Sequence, residues 1–192
     1  MDALYYLGRI ADRRLEHDQA VQYYSQVTRG SNATISQRRA AVLHVQINDD
    51  LSAALASLDE FAKVSPSYAV DVLVTKAQLL ASVDEDEDAL KLFDKARNFR
   101  PDHEGTALGR AELLLSMGRL DEALEGYAEA ARRWPKSALS LNAYGYTLAD
   151  RTDRYREAEK LIRKALRYSP DNPAIIDSLG WVLFRLGKYD AA

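Results

Sequence analysis

The chain has 192 residues, no cysteine and a formal net charge of −3, with 29 acidic side chains against 26 basic ones. Without cysteine, disulfides, thiolate metal sites and thiol catalysis are excluded within this stretch, and the near balance of charge gives no global reason to expect nucleic acid or an anionic membrane as partner. Apolar residues make up 47%, the composition of a folded, soluble chain, no apolar run nears the ~18 residues of a spanning helix, and "MDALYYLGRI" carries no secretion signal.

Taken in chain order, the apolar residues fall into a repeating frame of two helices of about 13 residues each. The first unit, 1–34, places Leu7 and Gly8 in its first helix and Ala20 and Tyr24 in its second, and has Asn32 where later units have proline. Asn32-Ala33-Thr34 also fits a glycosylation acceptor, a short pattern frequent by chance. The unit 35–69 carries Ala54, Leu58, Phe61 and Pro66. The unit 70–103 carries Ala89, Phe93, Ala96 and Pro101, after an acidic run Asp84-Glu85-Asp86-Glu87-Asp88. That run lacks the spaced ligands and glycine of a calcium loop, so it reads as a solvated turn that places negative charge at a helix start. The unit 104–137 has Gly118 at its turn, then Ala123, Tyr127, Ala130 and Pro135. The unit 138–172 has Ala158, Ile162, Ala165 and Pro170, with one extra residue in its inner turn "LADRTDRY". A sixth unit, 173–192, opens at Pro173 and includes Leu179, Gly180 and, at the alanine position, Ala192.

Four prolines thus recur 35, 34 and 35 residues apart, with alanine twelve positions before each. Proline stops a helix because it lacks an amide hydrogen and clashes with the preceding turn, and Ser67, Asp102, Ser137 and Asn172 behind these prolines are predicted N-caps of the next helix. A period of this length signals stacked repeats. Small residues at fixed positions let helices approach while large ones fill the gaps. The pattern resembles the tetratricopeptide repeat family along essentially the whole chain, in the pairs Leu7-Gly8, Tyr144-Gly145 and Leu179-Gly180 and in the alanine–bulky–small–proline series. The resemblance implies an all-α, right-handed superhelical solenoid, a single array over 1–192. The sixth unit, cut at Ala192 without a polar capping helix, is expected to make this a piece of a longer solenoid.

No residues group into an enzyme site. His17, His44 and His103 lie in different repeats without partners at metal-ligand spacing, so no metal, cofactor or catalytic residue is expected. The six basic residues from Arg151 to Lys164 are interleaved with Asp150, Asp153, Glu157 and Glu159, a helix surface laced with both charges. The family resemblance implies instead a groove lined by the first helix of each repeat. Carried onto this sequence, that groove holds Asp2, Tyr5, Arg9 and Arg13, then Arg39, Leu43 and Gln46, then Thr75 and Gln78. Glu112, Asn142 and Tyr146 continue it, followed by Asp177, Trp181, Phe184 and Arg185. Exposed aromatics and arginines commonly anchor partners. Trp181 and Phe184 have a second reading, as a seat for a following repeat. The lysine–asparagine clamp by which chaperone-binding relatives hold a terminal carboxylate is not reproduced, since its positions hold Tyr5, Arg9, Arg39, Ala40 and Leu43. Arg9, Arg13 and Arg39 still suit an acidic or carboxylate-bearing segment.

"GYTLADR" and "DSLGWVLFRLGKY" resemble the C-terminal repeats of Gram-negative outer-membrane lipoproteins built from tetratricopeptide repeats. This second resemblance implies a periplasmic protein-binding scaffold, tethered through a lipidated N-terminus outside this sequence. Its partners would be a carboxyl-terminal processing protease and peptidoglycan hydrolases, with no nucleic acid and no membrane contact by this stretch itself. Two alternatives stand beside it: the substrate-recognising region of a larger enzyme, and a cytoplasmic co-chaperone-like scaffold.

Overall fold

The computed structural model describes residues 2–189, and the helices found there follow the predicted frame. Eleven α-helices occur among the described residues: α1 (Asp2–Arg13), α2 (His17–Ser25), α3 (Ala33–Asn48), α4 (Leu51–Val64), α5 (Ala69–Ala81), α6 (Asp86–Phe99), α7 (Glu104–Ser116), α8 (Leu120–Arg133), α9 (Ala138–Arg151), α10 (Tyr155–Tyr168) and α11 (Pro173–Arg185). No strand accompanies them in that span. The helices form two compact units, Met1–Pro101 and Asp102–Ala192. Ala192, the predicted alanine of a sixth second helix, lies outside the described residues.

The periodic alanines account for the packing. Ala20, Ala54, Ala89, Ala123 and Ala158 have no exposed surface, and neither do Ala96, Ala130 and Ala165. The bulky position of the frame, Tyr24, Leu58, Phe93, Tyr127 and Ile162, is buried in every repeat. Two glycines show why no larger residue fits. A Cβ at Gly8 would lie 2.7 Å from the Tyr24 ring, and one at Gly145 would lie 2.7 Å from Ile162 Cγ1 and 3.1 Å from the Ala158 carbonyl. Each glycine therefore seats the bulky residue of its own repeat's second helix. Leu7, the partner of Gly8 in the sequence motif, is 42% exposed and takes no part in that seat.

In the first unit, α1 packs on α2, α2 on α3, α3 on both α4 and α5, and α5 on α6. One cluster joins Ala11, Ala20, Tyr24, Ala40 and Leu43, and another joins Ala41, Ala54, Leu58, Phe61, Val72 and Leu79. In the second unit, α7 packs on α8 and α9, α9 on α10 and α11, and α10 on α11. Leu114, Leu141, Leu148, Ile162 and Val182 are fully buried there.

The ends of the helices depart from the expected frame in four places. Ser137 and Asn172 cap α9 and α11 as predicted, accepting from the Ser140 and Ala174 amides. Asp102 does not cap α7; His103 does, its ring Nδ1 accepting the Thr106 N–H. Ser67 caps nothing, because it lies inside a 3-10 turn, Pro66–Tyr68, which feeds α5 without a side-chain cap. Where the first repeat lacks its proline, α2 is only nine residues long and α3 starts at Ala33, ahead of the predicted repeat boundary. There the α2 end is held by other means. The buried Gln37 amide donates to the Ser25 and Val27 carbonyls at 2.9 and 3.1 Å, Ser65 Oγ donates to the Thr28 carbonyl at 2.7 Å, and Tyr68 Oη to that of Gly30 at 3.1 Å.

The acidic run behaves as its charge suggests. Asp86, Glu87 and Asp88 form the first turn of α6, where the helix dipole favours negative charge. The mixed-charge surface around α10 is paired within itself, Arg151 with Asp150, Arg154 with Glu157, and Arg163 with Glu159.

Candidate functional site: the faces of the first helices

In the first unit, α1, α3 and α5 border two adjoining hollows. The larger, about 520 Å³, is walled by Tyr5 and Arg9 of α1, by Arg38 and Arg39 of α3, and reaches Gln78 of α5. The smaller, about 150 Å³, lies between α3 and α5, with Val42, Val45 and Leu79 as its apolar wall and Gln46 and Gln78 at its polar edge. Arg38, Val42 and Gln78 border both.

The arginines of this face differ in what they are free to do. Arg39 makes a two-pronged contact with Asp12, Nε to one carboxylate oxygen at 2.6 Å and Nη2 to the other at 2.7 Å. The guanidinium holds the Asp12 carboxyl below its ordinary value, and the carboxylate raises the pKa of Arg39 in return. Tyr24, whose hydroxyl points at the same carboxylate, is pushed up, first by burial and then by that charge. Arg9 lies over the Tyr5 ring at 5.6 Å, a cation–π contact, and is exposed. Arg38 is exposed and makes no ion pair among the described residues. The large hollow therefore sets three guanidiniums against a single carboxylate, and Arg39 already occupies that carboxylate.

The predicted groove residues of this unit sort accordingly. Tyr5, Arg9, Gln46 and Gln78 border the hollows, Arg39 borders the larger one through its pair with Asp12, and Arg13 and Asp2 are exposed. Asp2 accepts a hydrogen bond from Asn32. Leu43 is corrected outright: it is 1% exposed and belongs to the core with Tyr24 and Ala40. Thr75 is buried too, its hydroxyl donating back to the Asp71 carbonyl, and contributes wall rather than a contact group. Sequence reasoning missed Arg38, Val42 and Val45. The reason is register: α3 begins at Ala33, and a single-residue slip turns a helical side chain by about 100°.

In the second unit, Glu112 is exposed on α7 and adds to the effect of burial in pushing the Tyr127 phenol up to about 12. Tyr146 is exposed on α9, and Asn142, half-buried, has an amide oxygen shielded from solvent without a hydrogen-bond partner among the described residues. On α11, Trp181 stacks on Phe184 at 5.7 Å, and Phe184 meets Tyr189 edge-on at 5.7 Å. Arg185 sits between the Trp181 and Tyr155 rings, 5.4 and 4.7 Å from their centroids, and hydrogen-bonds the Tyr155 hydroxyl. Phe184 stays 52% exposed, Asp177 is exposed, and the Trp181 indole N–H is shielded without a partner among the described residues. Arg185 thus braces α11 against α10 as well as bordering the face.

Comparison with known proteins places this architecture. The TPR repeat-containing protein PA4667 of Pseudomonas aeruginosa is 33% identical over 189 residues, which is 98% of this chain and 32% of that protein. The chain thus spans about a third of the length of the curated relative it matches. Among solved structures, TTC0263, a TPR protein of Thermus thermophilus, aligns over 95% of this chain and 98% of its own with a TM-score of 0.68 at 15% identity. YrrB, a TPR protein with an unusual peptide-binding site, aligns over 91% and 89% with a TM-score of 0.54 at 18% identity. At such identities these two show the fold alone, an all-α tetratricopeptide solenoid. Family models described as tetratricopeptide repeat match residues 2–29, 108–173 and 147–192, together more than half of the chain. Between those matches, the buried Ala54, Leu58, Ala89, Phe93 and Ala96 carry the same frame, and the chain belongs to the tetratricopeptide repeat family.

Proposed function

We propose that this chain is a non-catalytic scaffold that binds protein partners on the faces of its first helices. Tetratricopeptide domains bind proteins or peptides, and the observation that supports this reading here is the solvent-facing pair of hollows on α1, α3 and α5. Their polar side chains, Arg9, Arg38, Gln46 and Gln78, are exposed rather than consumed by the packing of the repeats. Such an array contributes by presentation: holding one partner raises its effective concentration for another. The test is site-specific photo-crosslinking with a photoreactive side chain at Gln78 or Tyr146, and in parallel at Glu60 on α4 or Glu129 on α8. Partner adducts from the first pair are expected. Adducts only from Glu60 or Glu129 would move the binding surface to the second helices and end this assignment.

The finer reading is a scaffold of the bacterial envelope, periplasmic and anchored at the outer membrane, that brings a carboxyl-terminal processing protease to peptidoglycan hydrolases. Its support is the likeness of "GYTLADR" and "DSLGWVLFRLGKY" to the repeats of such lipoproteins. Fractionation of cells expressing the full-length protein checks it. Recovery with outer membranes is expected, and recovery in the cytoplasm would exclude the protease and its substrates as partners.

A further inference from the structure

The scaffold reading leaves open what chemistry the first unit selects, and the side chains bordering its two hollows narrow it. Their order across the face is guanidinium on α1 (Arg9), guanidinium on α3 (Arg38), then an apolar recess of about 150 Å³ between α3 and α5. Among the described residues Asp12 is the only carboxylate bordering the larger hollow, and Arg39 holds it by two short hydrogen bonds. The positive charge of Arg9 and Arg38 is therefore not neutralised from within. Gln78, which borders both hollows, carries an amide able to donate to and accept from a peptide backbone.

We propose that this face binds an extended internal segment of a protein partner in which two acidic side chains and one aliphatic side chain alternate with other residues, the acids meeting Arg9 and Arg38 and the aliphatic side chain filling the recess walled by Val42, Val45 and Leu79. This inference rests on the scaffold reading and names the class of segment taken by one of its faces. In an extended chain, side chains on one face recur about every 7 Å, and the two hollows bring α1, α3 and the recess between α3 and α5 side by side along one face. An acid–x–acid–x–aliphatic pattern can therefore step from α1 to α3 to the α3–α5 recess. Arginine suits the role because its planar fork grips a carboxylate through two parallel hydrogen bonds. A single terminal carboxylate would bring one negative charge to two unneutralised guanidiniums. The residues at the positions of a terminal-carboxylate clamp, Tyr5, Ala40 and Leu43 among them, also do not form that clamp.

The experiment uses the full chain and fluorescein-labelled peptides, acetylated and amidated, with the core Asp-Ser-Glu-Ser-Leu and its reverse, read by fluorescence anisotropy. One orientation is expected to bind. Replacing its acids by Asn and Gln, or its Leu by Ser, is expected to weaken binding by about 10-fold or more, and raising the salt from 50 to 300 mM to weaken it several-fold. On the protein side, the double variant Arg9→Glu with Arg38→Glu is expected to abolish binding, with the helical circular dichroism signal confirming its fold. The paired peptide controls need no variant at all. Equal binding of the Asn/Gln peptide overturns the proposal, as does binding that appears only when the C-terminus is left free. So does an unchanged affinity in the folded double variant. Any of these outcomes leaves the crosslinking at Gln78 and Tyr146 untouched, so failure of this inference is separable from failure of the scaffold reading.

Discussion

At Gly145 the fold depends on a missing methyl group. A Cβ there would meet a side-chain carbon of Ile162 at 2.7 Å and a backbone oxygen of α10 at 3.1 Å, and a backbone oxygen can yield only if the helix moves. Alanine is the better helix former by about 1 kcal/mol, but overpacking a tight contact costs about 1–3 kcal/mol, so the clash should win. Gly145→Ala is expected to lower stability by a net of up to about 2 kcal/mol in urea unfolding. A gain in stability would show that α9 and α10 do not approach as closely as described. Asp12 gives a second prediction at this scale, and its sign follows from the direction of its shift. Its pKa is lowered in the folded chain, chiefly by the hydrogen bond from Arg39. The stabilisation is therefore fully present above the unfolded carboxylate value of about 3.9 and is lost as pH falls through the depressed folded value. Asp12→Asn should lose stability at pH 7 and show a shallower decline below pH 4, measured by urea midpoints across pH. An acid limb as steep as the parent's would mean that the pair with Arg39 does not contribute to folding.

At the scale of the element, α2 shows how a repeat is completed without its proline. The other second helices of complete repeats, α4, α6, α8 and α10, each stop two residues before a proline, whereas α2 stops at Ser25. Its terminal carbonyls find their donor in the buried amide of Gln37, from the following helix. Gln37→Ala would leave buried carbonyls without that donor, a loss of about 1–3 kcal/mol. The expected result is a lower urea midpoint together with faster amide exchange in α2. If exchange in α2 matched that of α8, the end of the helix would be held by Ser65 and Tyr68 instead. The same element explains what could be read from the sequence and what could not. The alanine–bulky–small–proline frame was legible because each of its residues answers a local demand: a close approach, a gap to be filled or a helix to be stopped. Ser137 and Asn172 were legible as caps because serine and asparagine favour that position. Asn32 hid the early start of α3, and with it the turn of Arg38, Val42 and Val45 toward the hollows. His103 as a cap had no sequence signal either, since histidine is not among the favoured N-cap residues. The same one-residue slip put the buried Leu43 on the groove face.

At the scale of the whole molecule, the question is how many repeats make a folding unit. Repeat proteins gain stability from each repeat and from its interface with the next, and about three repeats are ordinarily needed. The unit Met1–Pro101 contains three helical hairpins, α1 to α6. The unit Asp102–Ala192 contains two hairpins and α11, so it is the more stringent case. What favours it is the way α11 is used. It packs on both α9 and α10, and Ile175, Val182 and Leu183 are at most 3% exposed. Lys188 and Arg163 both pair with Glu159 of α10, and together they lower the pKa of its carboxyl. A lone helix that closes the apolar face of a hairpin from two sides replaces part of the interface a third hairpin would supply. Residues 102–192 expressed alone are therefore expected to give a helical circular dichroism spectrum and a cooperative melt. Replacing Val182 and Leu183 by Ala should cost several kcal/mol, at about 2–5 kcal/mol for a buried leucine alone, and collapse that melt. A coil-like spectrum for the unsubstituted segment would show that α11 does not substitute for a third hairpin, and that this unit folds only with more of the array in place.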